Sequence, residues 1–201
     1  SIEGISYLGI VGGSNGSGNV KIERVGNEAK ISGKDMNVSG IFGCNMYSEA
    51  NIHIVDCYNA GKIEGIRESA AISGWLGEGA TVENCYSIGD VSGAEDYMAF
   101  VRGKNATLTN CYDVNGKQVT ILDENQIVSG ELCYKLNNGN NIWRQDLGED
   151  KHPVLCRSHA LVHYDKDTDT YYNKPDYTLA DVNNDGMIAI DDVVLTINAV
   201  L

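Results

Sequence analysis

The stretch Asn84-Cys85-Tyr86-Ser87-Ile88-Gly89-Asp90-Val91-Ser92-Gly93 has two relatives in the same chain, Asp56-Cys57-Tyr58-Asn59-Ala60-Gly61-Lys62-Ile63-Glu64-Gly65 and Asn110-Cys111-Tyr112-Asp113-Val114-Asn115-Gly116-Lys117. The three copies begin 28 and then 26 residues apart. A second column supports this period: Gly9-Ile10-Val11-Gly12, Gly40-Ile41-Phe42-Gly43, Ala71-Ile72-Ser73-Gly74 and Ala99-Phe100-Val101-Arg102. Self-similarity at this period predicts a stacked solenoid, in which neighbouring units bury each other's apolar faces.

Within each repeat, apolar residues alternate with polar ones, and glycines separate the runs, which is typical of short strands joined by tight turns. A period of about 28 residues suits a coil of two or three strands, with successive coils spaced about 4.8 Å apart by parallel ladders. We therefore predict a mainly β chain, a parallel β-helix or solenoid of about four coils. A small α+β segment caps it, and a calcium loop and helix follow.

The repeat position of Cys57, Cys85 and Cys111 predicts a buried column of free thiols, because equivalent Cβ atoms in stacked strands lie too far apart for a disulfide. A bridge between Cys133 and Cys156 stays open. Asp56, Asn84 and Asn110 are expected to form a hydrogen-bonded ladder along the axis. Adjacent strand residues face opposite sides. If the cysteines point inward, Tyr58, Tyr86 and Tyr112 therefore form an exposed stripe that offers a ligand platform.

The pattern Gly-[Ile/Leu]-x-Gly followed by Asn-Cys-Tyr-x-x-Gly-x-[Ile/Val]-x-Gly resembles the GLUG-type repeat of bacterial surface proteins. The resemblance covers roughly residues 8 to 117, and the first repeat lacks the Asn-Cys-Tyr part. It implies a secreted or cell-surface bacterial protein. We assign residues 1–118 to these repeats, 119–177 to the cap and 178–201 to the calcium unit.

In the cap, the helical period of residues 119–137 predicts a short helix or two that closes the solenoid, with Asp123 or Ser129 as N-cap and Gly139 as the stop. Trp143 is predicted to fold back and pack on the final coil. Residues 160–164 and 170–173 read as a hairpin with an acidic turn. On a strand, His159 and His163 lie about 13 Å apart, too far to share one ion.

Residues 181–192, Asp-Val-Asn-Asn-Asp-Gly-Met-Ile-Ala-Ile-Asp-Asp, fit a twelve-residue calcium loop. Calcium takes six to eight oxygens, and this spacing supplies them from side chains at positions 1, 3, 5 and 12 and from the carbonyl at position 7. Gly186 makes the turn at position 6, and water fills position 9 at Ala189. The predicted Ca²⁺ ligands are Asp181, Asn183, Asp185, Met187 and Asp192. Asp165, Asp167, Asp169 and Asp176 imitate the spacing, but Thr170 replaces the turn glycine, so a second calcium site is the alternative to a simple acidic turn there.

The calcium loop and the amphipathic helix predicted after it together resemble the first repeat of a dockerin, a module that binds cohesin domains. The resemblance implies a cohesin-like partner that contacts Ile190, Asp191, Ile197 and Asn198. Dockerins use two such repeats, and this sequence contains one.

Composition narrows the function. A net charge of −13 argues against binding to nucleic acid, because proteins neutralise its phosphates with Lys and Arg. The same charge favours the binding of cations. No apolar run approaches the length of a membrane span. We therefore expect a non-catalytic spacer or adhesin-like module. The alternative is a carbohydrate-binding or polysaccharide-degrading β-helix, whose acid and base groups would come from Arg67, Glu68, Glu95, Asp96 and Arg102.

Overall fold

The computed structural model describes residues 1–13, 16–45, 49–93, 98–103, 105–116 and 118–174. It is a mainly β structure, 44% strand and 7% helix, whose parallel sheets form a solenoid of about three turns. The predicted solenoid fold is confirmed. Equivalent residues Ile2, Ile31, Ile63 and Val91 pair in register, so that four stacked layers are separated by three turns.

The strands follow one another in the same order in each layer. The first layer contains β1 (Ile2–Gly4), β2 (Val11–Gly13), β3 (Ser17–Glu23) and β4 (Gly26–Asn27). The second contains β5 (Ile31–Gly33), β6 (Val38–Ser39), β7 (Phe42–Cys44), β8 (Glu49–Val55) and β9 (Tyr58–Asn59). The third contains β10 (Ile63–Glu64), β11 (Ser69–Leu76), β12 (Thr81–Glu83) and β13 (Tyr86–Ser87). The last contains β14 (Val91–Ser92), β15 (Met98–Gly103), β16 (Thr107–Thr109) and β17 (Tyr112–Asp113), after which β18 (Thr120–Ile121) follows.

Four parallel sheets enclose the solenoid: β1-β5-β10-β14, β2-β7-β11-β15, β3-β8-β12-β16 and β4-β9-β13-β17-β18. The last of these is the tyrosine sheet. The expectation of two or three strands per coil is wrong, because each described layer contributes a strand to all four sheets. One corner column has a left-handed backbone at Arg24, Asp56, Asn84 and Asn110, with φ between 50° and 57°. Asn and Asp tolerate this conformation better than most side chains, which explains why they recur there.

Inside the sheets, an apolar core runs along the axis and contains Ile52, Ile54, Val82 and Phe100. Cys57, Cys85 and Cys111 belong to it, and all three are buried free thiols, as predicted. Desolvation raises the pKa of the Cys85 thiol. These cysteines therefore act as small apolar side chains of the core.

Polar ladders connect the layers as well. The predicted one is confirmed: Asn110 donates to Asn84 at 2.8 Å, and Asn84 donates to Asp56 at 3.3 Å. A second, fully buried ladder was not predicted, and in it Asn27 donates to Asn59 at 2.7 Å, while Asn59 lies 3.4 Å from Ser87. Burial removes these amides from water, and the hydrogen bonds within the ladder replace those that water would make.

On the outside of the solenoid, Glu64 accepts salt bridges from Lys30 at 2.6 Å and Lys62 at 2.7 Å. Because Lys30 and Glu64 belong to successive coils, this Glu64 ion cluster joins one layer to the next.

The cap contains α1 (Glu124–Val128), α2 (Glu131–Asn137) and the antiparallel hairpin of β19 (Val162–Asp165) and β20 (Thr170–Asn173). Asp123 caps α1 through a capping box with Gln126, and α2 ends at Asn138 in a left-handed conformation. The two short helices, the N-cap and the hairpin were all predicted. None of the helices in the described part of the chain is long and apolar enough to cross a membrane.

Gln118 closes part of the last coil. Its Oε1 accepts the backbone N–H groups of Phe100 and Val101, each at 2.9 Å, as the carbonyl of a further coil would. This side chain satisfies donors on β15 that would otherwise form an open sheet edge.

Candidate functional site

The tyrosine column is the candidate ligand platform that the sequence predicts in the repeats. Tyr58 and Tyr86 pair in register with each other, and Tyr86 pairs with Tyr112, so the three side chains stack along the outside of the tyrosine sheet. The rings of Tyr58 and Tyr86 are parallel within 7°, with centroids 5.3 Å apart. The predicted orientation, with cysteines inward and tyrosines outward, is therefore confirmed.

The predicted exposure of that stripe is wrong. Tyr58 is 8% exposed and Tyr86 is 0% exposed, because the cap lies over them. The indole of Trp143 packs edge-on against both rings, at 6.0 Å from Tyr58 and 5.3 Å from Tyr86. Trp143 was expected on the final coil, but it contacts the side of the second and third layers. Only Tyr112, in the last layer, stays partly exposed.

The first layer makes room for this arrangement. Gly26 occupies the repeat position of the tyrosines, and a Cβ there would overlap the ring of Tyr58. The absence of the tyrosine from the first repeat therefore has a structural reason, since a side chain at Gly26 would displace the ring beside it.

Hydrogen bonds attach the cap to Tyr86 and hold Tyr58 to the first layer of the solenoid. The Tyr86 hydroxyl donates to the Pro153 carbonyl and lies 2.9 Å from Nδ1 of His152. The Tyr58 hydroxyl donates to Glu28 at 2.7 Å. Burial raises the pKa of both phenols, and for Tyr58 the Glu28 carboxylate adds to the effect. Both phenols are neutral, hydrogen-bonded and buried, which is typical of an internal interface.

The charged corner that the sequence offered for catalysis is also paired. Arg102 forms a salt bridge with Glu68 at 2.7 Å, donates to Asn37 at 3.0 Å and lies over the ring of Trp75 at 5.6 Å. Arg67 instead pairs with Asp35 at 2.7 Å. Glu95 and Asp96 lie outside the described residues. The described part thus joins Glu68 to Arg102 across coils and leaves Arg67 with a different partner.

One cluster was missed by the sequence reading. Nδ1 of His159 lies 2.7 Å from Asp150 and 3.2 Å from Asp146, and one ligand atom from each of the three residues falls within 4.8 Å of the others. His163, on β19, is not part of it. The Asp150 carboxylate raises the pKa of His159 above its usual value of 6.5.

Backbone contacts explain the role of this cluster. Asp146 accepts the N–H of Ala160 at 2.7 Å, and Asp150 accepts the N–H of Asp146 at 2.6 Å. The carboxylates therefore close two loops and attach the segment before β19 to the segment after Trp143. Only the closeness of Asp146 and Asp150 was visible in the sequence, because His159 comes from a later loop.

The predicted calcium ligands Asp181, Asn183, Asp185, Met187 and Asp192 lie outside the described residues, and so do Ile190, Asp191, Ile197 and Asn198. In the described acidic turn of the hairpin, Asp165 accepts the backbone N–H of Asp167 at 2.8 Å, and Asp169 accepts the hydroxyl of Tyr164 at 2.8 Å. These carboxylates already have structural partners inside the turn.

No protein-family model, no curated protein and no solved structure matches this chain. The assignment to GLUG-type repeats and to a dockerin-like unit consequently stays an expectation from the sequence motifs, and the solenoid fold is established by the structure alone.

Proposed function

We propose that this chain is a non-catalytic module of an exported bacterial surface or extracellular protein. In this proposal the β-solenoid is a rigid spacer with an adhesin-like role, and residues 178–201 are a calcium-dependent, dockerin-like unit that assembles with a cohesin-type partner. The observation that carries the proposal is the sequence of residues 181–192, in which oxygen-bearing side chains and a turn glycine occupy the positions that a calcium loop requires.

Packing of the described residues supports the spacer part. The outer aromatic column is covered by the cap, and the ladder edge at β15 is closed by Gln118. Layers are further joined by the buried amide ladder and the Glu64 ion cluster. Long-range pairing of this kind resists bending, because each coil is held by its neighbours along several sheets.

The alternative is a carbohydrate-binding or polysaccharide-degrading β-helix. The tyrosine stripe does not support this alternative as a ligand platform, since Tyr58 and Tyr86 are buried. Its acid and base groups need a free carboxylate beside a second catalytic group, whereas Glu68 is held by Arg102. We therefore favour the spacer.

Calorimetric titration of the chelator-treated chain with calcium tests the proposal. We expect saturable binding of about one equivalent, with no change in the β-sheet signal of the circular dichroism spectrum, because the solenoid requires no metal. Asp181→Ala should abolish binding. Asp167→Ala is the matched control, since Asp167 sits in an acidic turn where Thr170 stands in place of the turn glycine.

Absence of calcium binding would refute the dockerin-like unit. If Asp167→Ala removes binding and Asp181→Ala leaves it intact, the calcium site lies in the hairpin. That result would also refute the dockerin-like unit. If Asp181→Ala abolishes binding, cohesin domains immobilised with calcium or with chelator are the next test, and retention only with calcium is the expected result.

A further inference from the structure

A cavity of about 630 Å³, wide open to solvent, lies in the cap between the corner that joins α1 to α2 and the tip of the hairpin. Its volume falls within the range of pockets that bind small ligands. The cavity is on a different part of the molecule from the tyrosine sheet, and its residues play no part in the proposed calcium unit. Its lining includes Val128, Ser129, Glu131, Leu147, Asp169 and Tyr171.

The lining combines apolar and acidic residues. Val128 is 44% exposed although it is a large apolar residue, and it lines the cavity together with Leu147 and Tyr171. Glu131 and Asp169 contribute the carboxylates. A ligand that suits both kinds of residue has an apolar face and several hydroxyl or amide donors.

Both carboxylates keep acceptor capacity. Lys135 and Gln126 donate to Oε1 of Glu131, and within the described residues no donor reaches Oε2. Tyr164 donates to Oδ1 of Asp169, which leaves Oδ2 for another donor. An ionised carboxylate accepts up to about four hydrogen bonds, so each group can take a ligand hydroxyl without losing its present contacts.

The Tyr171 ring is held in place by other rings. Its centroid lies 5.0 Å from that of Tyr164 and 5.7 Å from that of Tyr134, which is itself 43% exposed. The phenol of Tyr171 is protonated at neutral pH, as an ordinary tyrosine is, so its hydroxyl can donate. A fixed aromatic ring with a polar tip presents apolar surface at little cost in side-chain entropy.

We propose that this cavity binds one ring of a neutral saccharide, with the C–H face of the sugar on the Tyr171 ring and its hydroxyls on Glu131 and Asp169. The two carboxylates disfavour an acidic sugar, because like charges repel at close range. An apolar peptide side chain fits less well, since it would bury carboxylate oxygens without giving them donors.

The test uses the full chain and four neutral disaccharides: cellobiose, maltose, lactose and chitobiose. Each is titrated to about 10 mM and followed by the NMR signals of the tyrosine rings, with digalacturonic acid as the charged comparison. We expect at least one neutral disaccharide to bind, and the acidic one to bind more weakly.

Tyr171→Ala should weaken binding about tenfold, by the loss of the aromatic contact. Tyr172→Ala is the matched control: it is the next residue of β20, is 40% exposed and points to the opposite face of the hairpin, where it contacts His163. Asp169→Asn, in an exposed turn whose left-handed backbone Asn tolerates, removes one carboxylate without removing a ring and should also weaken binding.

Failure of all four neutral disaccharides to bind would overturn the proposal. So would equal losses in Tyr171→Ala and Tyr172→Ala, or tighter binding of digalacturonic acid. The titration is repeated with chelator present, and unchanged saccharide affinity is expected. The result is therefore separate from the fate of the calcium unit.

Discussion

Tyr86 provides the sharpest test of the interface between the cap and the solenoid. Its side chain is fully buried, stacks on Tyr58 and receives the edge of Trp143. Tyr86→Ala removes all of these contacts at once. Truncation of a buried aromatic residue costs about 3–5 kcal/mol of the free energy of unfolding, and poor collapse around the cavity favours the upper end.

The hydroxyl contribution can be separated from the ring. Tyr86→Phe keeps the ring but removes the hydroxyl that donates to the Pro153 carbonyl, which leaves Nδ1 of His152, at 3.0 Å, as the neighbouring polar group; the loss should cost about 0.5–1.5 kcal/mol. Tyr112→Ala is the control, because Tyr112 has the same repeat position and is only partly buried. Its truncation should cost about half as much as Tyr86→Ala.

Urea unfolding measures these differences. Trp143 and Trp75 are the two tryptophans of the chain, so a Trp75→Phe background makes Trp143 in the interface the sole indole reporter. With an m-value of about 2 kcal/mol/M, the loss in Tyr86→Ala lowers the midpoint by about 2 M. A loss below about 0.5 kcal/mol, as for an exposed side chain, would refute the buried interface and restore the exposed tyrosine stripe.

Other predictions concern the ladders, the ion cluster and the thiols. Asn59→Ala should cost about 1–3 kcal/mol in urea unfolding, because it leaves buried partners of the amide unpaired. Asn51 is the control, because its amide donates to Asn19 in an exposed pair at 3.4 Å, and Asn51→Ala should cost under about 0.5 kcal/mol. Equal costs would contradict the buried ladder. The pKa of Glu64 is held at about 2 by its two lysine partners, so the stability it adds is present above pH 4.5 and is lost as the pH falls through about 2. Carboxyl NMR titration checks this, and replacing both lysines by Met should return the pKa towards 4.5. An aromatic disulfide reagent should label only Cys156 in the folded chain and all six cysteines in urea, and rapid labelling of a second thiol without urea would contradict the buried column.

The burial of the tyrosines changes how their repetition is explained. Tyr58 and Tyr86 recur because each contributes a ring to a stack on which the cap packs, and Gly26 leaves space for the first ring. The same surface that the sequence suggested for a ligand is used by the protein itself. In the described part of the cap, the exposed tyrosines are instead Tyr134 and Tyr172, and both lie outside the repeats.

Local and periodic information in the sequence was sufficient for much of the fold. The repeat predicted the solenoid, the cysteine column and the amide ladder, since residues one period apart must lie above one another in stacked parallel strands. The capping box at Asp123 and the hairpin depend on neighbours in the chain, so they too could be read directly.

Only the tertiary structure decided where the cap lies and what it covers. The Tyr86 hydroxyl and its partner carbonyl are 67 residues apart, and His159 meets Asp150 from a separate loop. Such contacts arise where a non-repeating segment finds complementary surface, and no periodicity encodes them. The burial of Tyr58 and Tyr86 and the cavity in the cap both follow from this packing, because burial depends on which surfaces meet and not on the pattern along one strand.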